Sequence, residues 1–351
     1  MRHLVSLLLA GAVALAGMPA ASHAEEAAAP AKAAASATHD APADSRIPTT
    51  DTAVRTEHSV SIGGRTLKYT ATAGTVIIRD DKDQPQASVF YVAYTLNGVD
   101  PSHRPLTFLY NGGPGSSSVW LHMGSFGPMR IETASPQATA PPPYHLVANS
   151  DSLLDKTDLV FIDAVGTGYS RPLGKATGKD FWGVDQDLSA FSRAIQRYVT
   201  LNQRWNSPKF LYGESYGTTR SAALVDVLQD KGMAFNGVIL MSSILNYGIR
   251  MPGYDESYIG YLPSFAAAAW YHNKVANKPA DLKTYLDQVR AWAGGPYAAA
   301  LAQGQNLPPA QLDAIAQQMA AYTGLSVQYI KEANLRVDPS RFRKELLRDQ
   351  R

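Results

Sequence analysis

The short apolar run Pro208 to Tyr212 leads straight into Gly213-Glu214-Ser215-Tyr216-Gly217, and a segment of small and apolar residues, Thr218 to Leu228, follows. Strand, sharp turn and helix in that order, with a serine at the apex, fit a sheet whose strands are linked by covering helices. Glycines two positions either side of Ser215 relieve a bend that Cβ atoms would crowd, so the hydroxyl is left standing at the sheet's edge. A lone Gly-x-Ser-x-Gly also occurs in ordinary turns. Its meaning therefore depends on the rest of the chain.

That rest alternates between strand and helix signals. His58 to Ile62, a Gly63-Gly64 turn, Arg65 to Ala73, Thr75 to Arg79 and Ala87 to Leu96 read as an antiparallel meander. Pro105 to Tyr110, Asp158 to Ile162 and Gly237 to Met241 are short continuous apolar runs of the kind buried on both faces of a parallel sheet. Val184, Leu188, Phe191, Ile195 and Val199 recur at helical spacing and predict an amphipathic helix that covers the sheet. The fold class read from this alternation is α/β. After Ser242 the pattern becomes helical: Ser264 to Val275, Ala280 to Trp292, Pro309 to Tyr322, and a capped helix from Asp338-Pro339, whose basic residues read as a solvated face. Tyr254 to Tyr261 reads as a loop.

Domain organisation follows from the ends. Arg2 and His3, the apolar stretch Leu4 to Ala16, a breaker at Pro19 and the small-residue site Ser22-His23-Ala24 make residues 1–24 an export signal, so the expected location is periplasmic or secreted. The apolar run is shorter than the roughly 20 residues a membrane span needs. Residues 25–53, rich in Ala, Pro, Thr and Asp without apolar period, read as a flexible linker, with folded structure from Val54. Residues 54–245 then form the α/β unit and 246–351 a helical cap inserted over its active face. The absence of cysteine excludes a disulfide framework and an N-terminal lipid-bearing Cys. With 32 basic against 30 acidic side chains, the charge steers the molecule to neither nucleic acid nor an anionic membrane.

A second motif, Leu109 to Ser118, places three glycines in four positions directly after a buried strand. Its backbone N–H groups can converge on one oxygen, as acyl transfer to a serine requires where negative charge develops. A phosphate nest is the other use of such a loop, but neither a Walker-type Lys nor a Gly-x-Gly-x-x-Gly accompanies it. Metal chemistry has no support either, since there is no His-Glu-x-x-His and the histidines are scattered, and no cofactor is implied.

Asn111-Gly-Gly-Pro-Gly-Ser-Ser-Ser118, Phe161-Ile-Asp-Ala-Val-Gly-Thr-Gly-Tyr-Ser170 and Gly213-Glu-Ser-Tyr-Gly217, in that order and spacing, resemble the serine carboxypeptidases, a branch of the α/β-hydrolase fold. The resemblance extends from about residue 58 to 250. It implies a mostly parallel sheet with antiparallel N-terminal strands, Ser215 as nucleophile, and an oxyanion hole from the backbone N–H groups of Gly113 and Tyr216. It also implies that Asn111, Gly112 and Glu214 bind the free C-terminal carboxylate of a peptide substrate. Glu214 can do so only with a proton between the two carboxylates, which favours acidic pH. The chain departs from the family pattern at Ser125, where a second Glu is common, and at Leu109, where a Trp is common. A weaker acid preference is expected from the first.

The resemblance further implies the order Ser, then Asp or Glu, then His. The one histidine after Ser215, His272, lies in a helical run and reads as a cap residue; Asp255 and Glu256 lie in a stretch that nothing aims at Ser215; His122 is out of order and reads as structural. The missing Asp and His are expected beyond residue 351, so the chain is expected to be the N-terminal part of a longer enzyme, incomplete at its C-terminus and weak or inactive alone. The leading expectation is a serine-type carboxypeptidase. Other serine chemistry on the same fold (aminopeptidase, esterase, acyltransferase) and a non-catalytic exported binding protein are the alternatives.

Overall fold

A computed structural model describes residues 47–134, 139–251 and 253–350. The export signal and residues 25–46 of the linker lie outside the described residues. The chain forms strands β1 (Thr52–Ile62), β2 (Arg65–Arg79), β3 (Pro85–Leu96), β4 (Leu106–Tyr110), β5 (Met129–Ile131), β6 (Leu146–Ala148), β7 (Asp158–Ile162), β8 (Arg171–Pro172), β9 (Lys209–Glu214) and β10 (Gly237–Met241). An eight-stranded sheet runs β1-β2-β3-β7-β4-β9-β10, with β8 paired to β3. β1, β2 and β3 pair antiparallel, and β3 meets β7 antiparallel. The pairs β7–β4, β4–β9 and β9–β10 are parallel. This is the α/β-hydrolase sheet expected from the sequence.

The helices at the site are the short α1 (Val119–Leu121) and, after the elbow, α3 (Tyr216–Asp230), with α2 (Val184–Leu201) between them in sequence. α2 buries Leu188, Phe191, Ile195 and Val199, the stripe read from the sequence, while Val184 at its start is exposed. Its core partners include Phe108, Tyr110, Val160 and Leu211 from the central strands. A second cluster on the sheet gathers Leu109, Leu121, Leu159 and Phe161 with Val60, Ile62 and Tyr69 of the hairpin. Complete burial of every residue of β4 and β7 accounts for their unbroken apolar runs.

Three expectations are corrected. The break expected at Gly74 does not exist, because β2 is one strand from Arg65 to Arg79. Gly74 serves a close approach instead: a Cβ there would stand 2.5 Å from the Tyr91 ring. β10 is placed as expected but is not buried on both faces. Val238, Ile239 and Leu240 are each 39% exposed, since among the described residues β10 pairs only with β9. Finally, the loop expected over Tyr254 to Tyr261 is the first part of helix α4 (Glu256–Tyr271), which runs through Pro263. Proline pointed to a later start, at Ser264. Asp255, immediately before the helix, is instead fixed by a two-pronged bond from Arg336, 2.7 and 2.8 Å.

Helices α5 (Leu282–Trp292), α6 (Ala298–Gln303), α7 (Pro309–Thr323), α8 (Val327–Glu332) and α9 (Pro339–Leu346) complete the chain. With α4 they enclose a core of their own, in which Phe265 and Phe342 stack at 4.1 Å. Asp338 caps α9 as expected, accepting from the N–H groups of Ser340 and Arg341.

Candidate active site

Strand register assembles the site. β4 and β9 are paired with Tyr110 opposite Gly213, so the next residue of each strand, Asn111 and Glu214, must meet although 103 positions separate them. Asn111 Nδ2 donates to Glu214 Oε2 at 2.9 Å. On the far side of β9, Met241 of β10 lies opposite Glu214, and its carbonyl accepts the N–H of Ser215 at 3.0 Å. Three segments remote in sequence thus share the carboxyl ends of adjacent parallel strands, where crevices of open α/β sheets bind ligands.

Ser215 has φ +56° and ψ −122°, a region that non-glycine residues rarely occupy. The strain is held by its neighbours. Its carbonyl accepts from the Thr218 N–H at 2.9 Å and the Thr218 hydroxyl at 2.7 Å, which fixes the first turn of α3. Gly213 is required because the turn folds onto itself, a Cβ there standing 2.0 Å from the Gly217 carbonyl oxygen, and Gly217 because its Cβ would stand 2.9 Å from the Tyr110 carbonyl oxygen. The glycine loop presses on the same bend. A Cβ at Gly112 would lie 2.4 Å from the Tyr216 nitrogen, so loop and elbow meet backbone to backbone.

Ser215 is only partly buried, and it borders a cavity of about 340 Å³ together with Asn111, Gly113, Trp120, Ser125 and Glu214. The structure therefore brings together the sequence-read residues Asn111, Gly112, Gly113, Glu214 and Ser215. Tyr216 contributes its backbone to the contact, while its side chain lines a separate cavity. Asn111 is nearly buried and its amide is committed on both sides: Oδ1 accepts the Leu121 N–H at 3.0 Å, and one Nδ2 hydrogen serves Glu214. The second Nδ2 hydrogen has no partner among the described residues.

Two residues missed by the sequence reading hold this arrangement. Arg220, on α3, is fully buried and grips Asp187 of α2 through Nε and Nη2, at 2.7 and 3.1 Å. Its Nη1 donates to the Asn111 carbonyl at 3.0 Å, which ties glycine loop, elbow helix and α2 together. The guanidinium lies 4.0 Å from the Phe191 ring centroid. A signal was present in the sequence, since Asp187 sits in the apolar stripe of α2. The third motif is structural as well: Asp163 receives the Ser118 N–H at 2.8 Å, and burial raises its pKa.

None of the other titratable residues weighed in the sequence borders the Ser215 cavity. His122 bonds the Tyr94 hydroxyl at 2.6 Å and stacks on Phe161 at 4.7 Å; burial lowers its pKa to about 4 and keeps it neutral. His272 is exposed at the C-terminus of α4, and Asp255 belongs to Arg336. Ser125, in the position of the family's second Glu, borders the Ser215 cavity and bonds the Trp120 carbonyl at 3.2 Å. Leu109, in the central strand β4, is wholly buried.

A family model described as serine carboxypeptidase matches residues 65–278, well over half of the chain. A pheromone-processing carboxypeptidase of Saccharomyces cerevisiae is 31% identical over 123 residues, which is 34% of this chain and 16% of that protein. Serine carboxypeptidase-like 33 of Arabidopsis thaliana is 25% identical over 146 residues, 41% of this chain and 29% of that one. The crystal structure of a prohormone-processing carboxypeptidase from Saccharomyces cerevisiae aligns with a TM-score of 0.45 at 19% identity, covering 73% of this chain and 53% of that chain. The match thus spans under a third of these curated relatives and about half of the solved structure.

Proposed function

The chain belongs to the serine carboxypeptidase family, and from that premise we propose that it takes part in releasing C-terminal amino acids from peptides through an acyl-enzyme on Ser215. The observation that carries the proposal is the in-register meeting of Asn111 and Glu214, 2.9 Å apart, on the wall of the cavity that Ser215 borders. A peptide carboxylate in that cavity meets the free Nδ2 hydrogen of Asn111, the Gly112 N–H and a protonated Glu214. Its scissile carbonyl then faces Ser215, with the N–H groups of Gly113 and Tyr216 as donors to the developing oxyanion. Attack by Oγ expels the C-terminal amino acid, and water releases the acyl group.

Ser215 needs a base to take its proton. No histidine borders its cavity among the described residues, so slow turnover by this chain alone is part of the proposal. We read the helical segment 246–351 as a cap, because it begins at the carboxyl end of β10, and Ile244 just before it is stitched to Thr218 and Thr219 of α3. Export follows from residues 1–24, and no helix among the described residues is long and apolar enough to cross a membrane. N-terminal sequencing of the mature protein from a periplasmic fraction should begin at Glu25; a start at Met1 would remove the export reading.

Labelling tests the nucleophile directly. A fluorophosphonate should modify the wild-type chain on Ser215, slowly for want of a neighbouring base, and leave Ser215→Ala unmodified; equal labelling of both defeats the proposal. Binding of matched peptides tests the substrate class. In the Ser215→Ala background a free acid should bind more tightly than its amide, the difference should shrink as pH rises, and Glu214→Gln should remove that pH dependence. Equal affinity for acid and amide at every pH would rule out carboxypeptidase specificity.

A further inference from the structure

Met241 ends β10 on the wall of the Ser215 cavity, and it is 37% exposed. Its neighbours fix it there. Met241 lies opposite Glu214, its carbonyl holds the Ser215 N–H, and its Sδ accepts a bond from the Tyr212 hydroxyl at 3.5 Å. Tyr212 and Glu214 stand two positions apart on β9, so their side chains leave the same face of the sheet. Among the described residues the Tyr212 hydroxyl has no other hydrogen-bond partner. Nothing in the proposed chemistry uses the sulfur.

The chain has no cysteine, so its thioethers are the sulfur that a peroxide meets. Met233 and Met319 are screened by burial, at 0% and 1% exposure. Met251, 58% exposed, is open to an oxidant but lies outside the Ser215 cavity. Met241 combines exposure with a place on the cavity wall. Oxidation turns a flexible apolar side chain into a polar, chiral sulfoxide. The Tyr212 hydroxyl, which has only a weak acceptor in the thioether, then has the sulfoxide oxygen within reach and can hold the oxidised side chain on the wall.

We infer that Met241 is a reversible oxidation site, through which hydrogen peroxide makes the Ser215 cavity more polar and weakens peptide binding there. A lone pair of Sδ attacks one oxygen of the peroxide. The S–O bond forms as the O–O bond breaks, and the departing hydroxide takes the proton left on the attacked oxygen and leaves as water. The sulfur gives up two electrons and the peroxide gains them. The inference rests on the carboxypeptidase reading only in that the peptide's C-terminal residue occupies this cavity.

The test measures binding, which needs no catalytic base. The Ser215→Ala chain is treated with hydrogen peroxide, its oxidised residues are mapped by tandem mass spectrometry, and N-benzyloxycarbonyl-Phe-Leu is titrated calorimetrically before and after. Sulfoxide should form at Met241 and Met251 and not at Met233 or Met319. Affinity should fall about tenfold, the worth of roughly one to two methylenes of apolar contact. Methionine sulfoxide reductases acting on both epimers should restore it. With Met241→Leu added, peroxide should no longer change the affinity, whereas Met251→Leu should leave the change in place. No sulfoxide at Met241, an unchanged affinity once it has formed, a fall that persists in Met241→Leu, or no binding in either state overturns the inference. The amide of the same dipeptide keeps the two readings apart. Equal affinity for acid and amide with the peroxide effect intact sinks the carboxypeptidase reading alone, and an acid preference with an affinity that peroxide leaves untouched sinks only this one.

Discussion

At the scale of single residues, the site rests on a buried charge pair whose members do different work. Arg220→Met would leave Asp187 buried without its partner, a loss of about 3–5 kcal/mol. Asp187→Leu combined with Arg220→Met removes both charges and should recover most of that stability in urea denaturation. The carbonyl of Asn111 loses its donor in either variant. Free-acid peptide binding should therefore stay weak in the double variant even where the fold has recovered. If stability and binding recover together, Arg220 does not position the glycine loop. Gly213→Ala is a sharper local test. Its Cβ would meet the Gly217 carbonyl at 2.0 Å, backbone against backbone, so the elbow must open and Ser215 labelling should be lost. The residues around Ser215 were legible in sequence because glycines announce tight turns wherever they occur. Arg220 was not, since its partner lies 33 residues away on another helix and only the fold brings the two together.

At the scale of elements, legibility followed how local the determining force is. β7 and β10 were read to the residue, because an apolar run bounded by polar residues fixes a strand's ends. What lies beside a strand is not encoded in it. The same pattern that buries β7 completely leaves Val238 to Met241 of β10 between 37 and 39% exposed. The join of β2 across Gly74 and the start of α4 ahead of Pro263 were missed because glycine and proline read as breaks, and both are overruled by partners, Tyr91 in one case and a continued helix in the other. The exposure of β10 has a measurable consequence. Among the described residues β10 is an uncovered apolar strand at a sheet edge, and such an edge is a template for self-association. Ile239→Lys should change urea stability by no more than about 0.5 kcal/mol, as for other exposed positions, while lowering aggregation and dye binding. A loss of several kcal/mol would mean that β10 is covered in solution.

At the scale of the whole molecule, two demands on pH oppose each other. On the proposed reading, a peptide carboxylate bonds Glu214 only through a proton shared between the two carboxyl groups, so binding should strengthen as pH falls. Stability moves the other way through His122. Its folded pKa is depressed from 6.5 to about 4 by burial, so below 6.5 the unfolded chain takes up a proton that the folded chain refuses. Unfolding therefore becomes easier as pH drops from 6.5 toward 4, by about 3 kcal/mol if no other group intervened, and levels off below that window. Asp163 acts in the opposite sense, because its raised pKa lets the folded state hold a proton that the unfolded chain releases, which offsets part of the loss. His122 is also tied to the site. It follows Leu121, whose N–H is held by the Asn111 side chain, and it packs between Tyr94 of β3 and Phe161 of β7. Protonating it would disturb the turn that fixes Asn111, and since the folded chain resists that proton until pH approaches 4, carboxylate binding should weaken through the fold only near pH 4, while the proposed proton on Glu214 strengthens it. An optimum in free-acid binding between these limits is the expected outcome, and His122→Gln, which keeps a partner for the Tyr94 hydroxyl, should extend it to lower pH. Urea unfolding at a series of pH values provides the check: the wild-type slope between pH 6.5 and 4 should exceed that of His122→Gln by close to one proton. Identical slopes would show that His122 is already protonated in the folded chain, and the coupling between stability and site would then have to lie elsewhere.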